Sequence, residues 1–404
     1  STDGLRKIMV NIEPFFGTRP FNQDAKSIIA PSTDHLSIEN IEIFKKNNYW
    51  NYLKILNPVG QLKEKDSLLE AKLHFDEMKE NDVIKKDNNP NFYIYQIDFK
   101  GHTQLGFLSL ANIKDFTNKK IKAHEKIYEH RMKERADQMQ NLQTQIGPIY
   151  VIYKANDKIE ELLKSKINTA PSYDFESFDK SDHKLWCIDN IDFHNELINL
   201  FKNVDSLYIA DGHHRIGAME HLSLHNPDRI NKFMMSAFPS SQSKIYDYNR
   251  VIKDLNGNTE HEFLNLLSNN FVVKISEKPL KPINNRQFGM YHEKTWYSLE
   301  FKGILKTQNF IDALDINILN EFCLKEILNI KDVNNDERIR FIAGCHGLEA
   351  LEKKVDENPD SVAFSIFPSA ISDVMRVADR SLTMPPKSTW FDPKPLDGLV
   401  VYEF

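Results

Sequence analysis

The stretch Ser206–His225, SLYIADGHHRIGAMEHLSLH, joins two hydrophobic patterns within twenty residues. A short apolar run, Leu207 to Ala210, ends in Asp211-Gly212-His213-His214-Arg215. Apolar residues then recur at helical spacing (Ile216, Met219, Leu222) until Asn226-Pro227 stops the pattern. This reads as a strand, a tight turn and the first turn of a helix. Gly212 lets backbone N–H groups approach a ligand closely, and a helix N-terminus offers unpaired donors and the positive end of a dipole. Two imidazoles and a guanidinium follow at once. The combination reads as a phosphate cradle without a Walker sequence. Asp211 also has the chemistry of a simple N-cap. Zinc is disfavoured, because no CxxC or HExxH ligand set accompanies the histidine pair.

The rest of the chain sets the frame for that turn. At 404 residues it has room for two packed units, and 41% hydrophobic with 27% charged residues is ordinary for a soluble globular protein. Apolar runs fall short of a membrane span, and no basic start precedes an apolar stretch, so neither a membrane anchor nor a signal peptide is expected. Three scattered cysteines, Cys187, Cys323 and Cys345, make no disulfide framework, and a cytoplasmic home fits them best. The net charge of −6, with both signs interspersed, disfavours nucleic acid, which needs a broad basic face.

Helices are expected at Ile38 to about Lys46, at Ser67 to Met78, and over residues 124–140 and 157–165. Strands are expected at Phe92 to Ile97 and Leu105 to Leu110, joined through Lys100-Gly101, and again at Ile149 to Tyr153, Lys232 to Phe238 and Phe271 to Ile275. Composition shifts at Pro279 to Asn285, which reads as a surface linker or loop. Beyond it come a strand (Thr295 to Phe301), a helix (Ile316 to Leu328), a strand (Ile339 to Ala343), a helix (Leu348 to Val355) and a strand (Ser361 to Phe367). The Pro-rich tail from Met384 reads as irregular. Mixed elements throughout imply an α/β or α+β fold, divided into residues 1–278 and 279–404.

A second stretch, Ile121 to Met139 (IKAHEKIYEHRMKERADQM), places His124 and Glu125 at a helix entrance and Arg131 and Arg135 one turn apart. A carboxylate there can act as a general base, and the arginines can hold phosphate or carboxylate oxygens. A solvated, charged helix with a capping acid explains the same residues. Near the C-terminus, Lys387-Ser388-Thr389 follows two prolines that stiffen the chain, with Lys394 soon after. Arg19, Ser32, Thr33 and Asp34 form another polar group in a Pro-punctuated loop. Cys345-His346 is a poor nucleophile pair, because adjacent residues seldom face each other.

Taken in order, these pieces resemble a family catalogued as domain of unknown function 1015 (DUF1015). Its members include free serine kinases, which share a core with the ParB and sulfiredoxin-like fold. The resemblance begins at Pro14-Phe15, Arg19-Pro20 and Ala30-Pro31 to Asp34. It runs through His124-Glu125 to Arg135, Asp211-Gly212-His213-His214-Arg215 and Arg250. It ends at Met384-Pro385-Pro386-Lys387-Ser388-Thr389, Phe391, Pro393-Lys394 and Gly398-Leu399. There are three departures from the family's usual pattern: Ser32-Thr33 replaces Pro-Tyr, Ala123 replaces Pro, and Asn249 replaces His.

The resemblance implies a ParB/sulfiredoxin-like catalytic core with insertions, completed by a C-terminal α/β portion. It implies Mg²⁺-dependent phosphorylation of free L-serine to O-phospho-L-serine. Glu125 then looks like the catalytic base, with Asp211 and His213 beside it. Gly212, His213, His214 and Arg215 look like the phosphate-donor site, joined by Arg250 and Lys387, and Asp211 is the candidate for Mg²⁺. His124, Arg135, Ser388, Thr389 and Asp34 are the candidates for holding the acceptor. The recognisable motifs address phosphate and none addresses adenine, so the donor leans toward pyrophosphate over ADP or ATP. The alternatives are a kinase for another small hydroxylated metabolite and a non-enzymatic, ParB-like nucleotide-binding regulator. A sulfiredoxin-like reductase would need a Cys where His213 and His214 stand.

Overall fold

The computed structural model describes residues 9–31, 37–56, 64–307 and 309–404. The chain forms two compact units: residues Ser1–Ser243 with Pro393–Phe404, and residues Lys244–Asp392. The fold is mixed α/β, as the alternating patterns imply.

The first unit is built on a nine-stranded sheet. Its strands run in the order Ile121–Lys122, Leu207–Asp211, Ile149–Tyr153, Lys232–Pro239, His102–Asn112, Phe92–Phe99, Asp182–Ile188 and Tyr173–Glu176, with Ile12–Glu13 paired to His102–Asn112. The hairpin expected at Lys100-Gly101 is present. Both residues sit at positive φ (48° and 74°), the backbone that two-residue turns demand. Sheet and helices close over a core that includes Phe92, Phe107, Val151, Ile209, Ile216 and Phe233, all without exposed surface. The amphipathic helix Asp157–Lys164 caps itself through Asn156, whose side chain accepts from the Lys158 and Ile159 N–H groups. The tail is less irregular than its prolines imply. Tyr402–Glu403 pairs with Thr144–Gln145, and Ala30 N–H donates to Asp397 O at 3.0 Å.

The second unit holds a six-stranded antiparallel sheet in the order Phe271–Ser276, Thr295–Phe301, Gln287–His292, Val362–Ile366, Tyr248–Ile252 and Ile339–Ala343. The proline-rich stretch at Pro279 to Asn285 is a loop inside this unit, and position 278/279 falls within it. The strands on either side of that loop belong to one sheet, bridged by Thr295–Phe301. The helix expected from Ile316 to Leu328 starts as the α-helix Asp315–Leu319 and widens into a π-helical turn at Asn320–Lys325. Among the described residues no helix is long and apolar enough to cross a membrane, and none of the three cysteines is in a disulfide.

Candidate active site

Strand pairing explains how residues more than 80 positions apart come together. Ile121–Lys122 and Leu207–Asp211 are parallel neighbours, with Ile121 opposite Leu207 and Lys122 opposite Tyr208. Parallel strands release their following residues at the same sheet edge. His124-Glu125 and Asp211-Gly212-His213 therefore emerge side by side. Residues 124–128 are a loop rather than the start of a helix. The helix begins at Glu129, because Tyr128 holds an extended N-cap conformation at φ −85°, ψ 123°. That loop packs across the histidine turn. The His124 N–H donates to His213 Nε2 at 3.2 Å, and the Tyr128 N–H donates to His214 Nε2 at 3.2 Å. The Tyr128 and His214 rings are stacked at 6.0 Å.

These bonds fix tautomers. An Nε2 that accepts must carry its proton on Nδ1 while the ring is neutral. In His213 that Nδ1 lies 3.4 Å from Glu125 Oε2. The other Glu125 oxygen lies 3.7 Å from His124 Nε2. Both imidazoles are buried and meet edge to face at 4.5 Å, whereas the Glu125 side chain is 46% exposed. Burial drives the His213 pKa down to about 4, and burial with the neighbouring His213 takes His124 down to about 3. Burial lowers His214 as well. A protonated histidine is thus not what this turn offers an anion near pH 7. His213 is a neutral donor aimed at a solvent-facing carboxylate.

The positive charge comes from elsewhere. Gly212 sits at φ 96°, ψ 27° and, lacking a side chain, cannot cap the helix His213–His225 that it opens. The first N–H groups of that helix stay available to an anion. Arg215 Nη1 donates to Pro148 O at 2.6 Å, and its Nη2 lies 3.8 Å from Asp397 Oδ2. Gly147 makes room for this pair: a Cβ there would lie 2.2 Å from Asp397 Oδ1 and 2.8 Å from Arg215 Nη1. Arg135, on the helix Glu129–Leu142, is close enough to act electrostatically on Arg215, Asp211 and Asp397. Asp211 is an exposed residue, yet enough protein surrounds its carboxylate to desolvate it. Desolvation there raises its pKa, but Lys394, Arg215, His213 and the Gly212 N–H outweigh that and keep it below the ordinary carboxylate value.

The first unit therefore gathers His124, Glu125, Arg135, Asp211, Gly212, His213, His214 and Arg215 at one sheet edge. Arg250, Lys387, Ser388 and Thr389 belong to the second unit. There Arg250 donates from Nη2 to Lys387 O at 2.9 Å, and the Ser388 hydroxyl donates to Pro385 O. Asp34 lies outside the described residues. The pattern analysis passed over Asp397, whose only signal was its place before Gly398 in a tail read as irregular.

It also passed over a carboxylate–imidazole cluster in the second unit. Glu260, His292 and Glu293 each bring one ligand atom within 4.8 Å of the others, a group capable of coordinating a divalent cation. His292 Nδ1 donates to Ser361 O at 2.9 Å, so the Nε2 lone pair faces the carboxylates, 3.8 Å from Glu260 Oε2 and 4.0 Å from Glu293 Oε1. An imidazole among carboxylates suits a transition metal better than Mg²⁺. Nothing in the sequence linked Glu260 to a hairpin 32 residues away.

The sequence pattern of the family described as "Protein of unknown function (DUF1015)" matches residues 12–317. The chain belongs to the DUF1015 family. No curated protein matches it. Among solved structures, a DUF1015 chain of this kind is similar to a free serine kinase in complex with AMP, at 14% identity and a TM-score of 0.35, covering 72% of this chain and 92% of that one. It is similar to SbnI with C-terminal truncation from Staphylococcus aureus, at 11% identity and a TM-score of 0.39, covering 72% of this chain and 85% of that one. A conserved hypothetical protein from Pyrococcus furiosus follows, at 13% identity and a TM-score of 0.33, covering 71% and 91%. At such scores and identities these likenesses carry no argument about activity.

Proposed function

We propose that this DUF1015 protein is a phosphotransferase acting on the hydroxyl of a small metabolite, with free L-serine as the acceptor. One observation carries the reading: the exposed Glu125 carboxylate is held by His213 at the mouth of the uncapped Gly212 turn. A hydroxyl is a poor nucleophile near neutral pH, so a carboxylate must take its proton as the oxygen–phosphorus bond forms. Glu125 receives that proton while the bond from phosphorus to the departing phosphate oxygen breaks, and the leaving group keeps the electron pair. The neutral His213 Nδ1–H orients the carboxylate and competes little for the proton. Charge spreads over the transferring oxygens. In this reading the helix N–H groups, Arg215, Arg135 and Lys394, which cluster electrostatically around Asp211, stabilise that charge.

Mg²⁺, when bound, neutralises charge on the phosphate chain. Asp211 would hold it, because its carboxylate is exposed and kept ionised by its neighbours. A single hard oxygen donor fits an ion that arrives on its phosphates rather than one caged by protein. The donor in this reading is pyrophosphate ahead of ADP or ATP, since the residues gathered here address phosphate alone. Arg250, Lys387, Ser388 and Thr389 are not used by this mechanism.

The test is a donor panel of pyrophosphate, ADP and ATP with L-serine and Mg²⁺, scored for O-phosphoserine by mass spectrometry. Pyrophosphate should give product. Phosphorylation of a different hydroxylated metabolite, with serine untouched, would replace the acceptor. Absence of transfer to any acceptor in the presence of all three donors would sink the reading.

A further inference from the structure

The second unit contains a cavity of about 280 Å³ whose charged walls have no role in the mechanism above. Its lining includes Arg250, Arg286, Arg376, Asp315 and Asp373. Arg250 is wholly buried on the strand Tyr248–Ile252, which has a paired strand on each side. Nη1 donates to Tyr248 O, Nη2 to Lys387 O at 2.9 Å, and the guanidinium lies 5.1 Å from the centre of the Phe341 ring. Its Nε has no hydrogen-bond partner, and no described carboxylate forms an ion pair with it. Burial lowers its pKa to about 9, so it is still charged near neutral pH. A guanidinium offers five N–H donors. Taking one out of water without a counter-charge is costly unless an anion completes it.

The cavity also holds the opposite charge in an unfinished state. Asp315 is 8% exposed; its Oδ1 accepts the Arg286 N–H at 2.8 Å, while Oδ2 is buried with no partner. Asp373 lies in the first turn of the helix Ile371–Asp379, whose N-cap, Ala370, has no side-chain cap. Three arginines and two aspartates therefore share one small cavity, with one buried cation and one buried carboxylate oxygen both lacking partners. A purely anionic ligand would leave Asp315 unanswered, and a purely cationic one would leave Arg250 unanswered. The volume falls just under the roughly 300–1,000 Å³ of drug-sized sites, which excludes a bulky ligand.

We propose that this cavity binds a free amino acid or a close relative, its carboxylate answered by Arg250 with Arg376 and its ammonium by Asp315 with Asp373. This gives Arg250 a duty different from the donor-phosphate role implied by the family resemblance. The proposal does not rest on phosphoryl transfer and is tested without a donor. Isothermal titration calorimetry on the full chain would compare L-serine, L-alanine and L-glutamate with propionate, ethylamine and inorganic phosphate.

At least one amino acid should bind about tenfold more tightly than propionate or ethylamine, each of which satisfies only one end. Arg250→Met should abolish that binding. Arg376→Gln, an exposed change with little bearing on folding, should weaken it by about tenfold. Asp315→Asn should weaken the amino acid and leave propionate unchanged. Amino-acid binding that is indifferent to both arginine variants, an absence of binding by every amino acid, or phosphate binding that is tighter than any amino acid's and is lost in Arg250→Met would each overturn the proposal. A protein that binds an amino acid in this way but transfers no phosphate would leave this site standing and refute only the kinase reading.

Discussion

Lowering the pH should strip stability from the first unit through its buried histidines, and His213→Gln isolates one of them. In the unfolded chain an imidazole titrates near 6.5, while burial holds His213 down to about 4 in the fold. Between those values the unfolded chain binds the proton and the folded one does not. The stabilisation is therefore full above about pH 6.5 and is lost as pH falls toward about 4. From pH 7 to pH 5 this single group should cost about 2 kcal/mol, a figure that depends little on the folded pKa as long as it stays below 5. Gln keeps an acceptor for the His124 N–H but has nothing to titrate. Urea denaturation of the two proteins at pH 7, 6 and 5 reads the difference, and carboxylate contributions common to both cancel. The wild type should lose about 2 kcal/mol more than the variant over that range. Parallel pH dependences would show that His213 is not held neutral, and the tautomer argument for Glu125 would fall with it.

Other perturbations probe the same framework. Gly147→Ala puts a methyl group 2.2 Å from Asp397 Oδ1 and 2.8 Å from Arg215 Nη1. It should displace Arg215 and weaken phosphate-donor binding by about tenfold, measured by titration calorimetry with pyrophosphate; unchanged binding would remove Arg215 from the donor site. The cluster Glu260, His292 and Glu293 should retain Zn²⁺ or Mn²⁺ through gel filtration, as read by elemental analysis. His292→Ala should lose it, and equal retention by both proteins would place any ion elsewhere.

How legible this was depended on whether the deciding signal was local. The run Leu207–Ala210, Gly212 and the spacing of Ile216, Met219 and Leu222 fixed a strand, a turn and a helix within a few residues, and the observed elements follow them. The Lys100-Gly101 hairpin was legible for the same reason. Helical periodicity from Tyr128 onward was read too far upstream, because the 124–128 loop owes its shape to bonds with His213 and His214, more than 80 residues distant in sequence. The neutrality of those histidines is a consequence of burial, which residue type alone does not reveal. The positions of Lys394 and Asp397 depend on the tail pairing at Tyr402–Glu403, a two-residue strand with too little pattern to notice. Glu260 and the Arg250 cavity are set by sheet order in the second unit, and sheet order leaves no mark on neighbouring residues.

The central claim is that Glu125 takes the acceptor's proton beside the Gly212 turn. Its most direct test is Glu125→Gln, assayed for phosphoserine formation alongside donor binding. Transfer should fall by roughly 10²–10⁴-fold, about 3–5 kcal/mol of barrier, with donor binding intact. Turnover within a few-fold of the wild type would contradict the assignment outright.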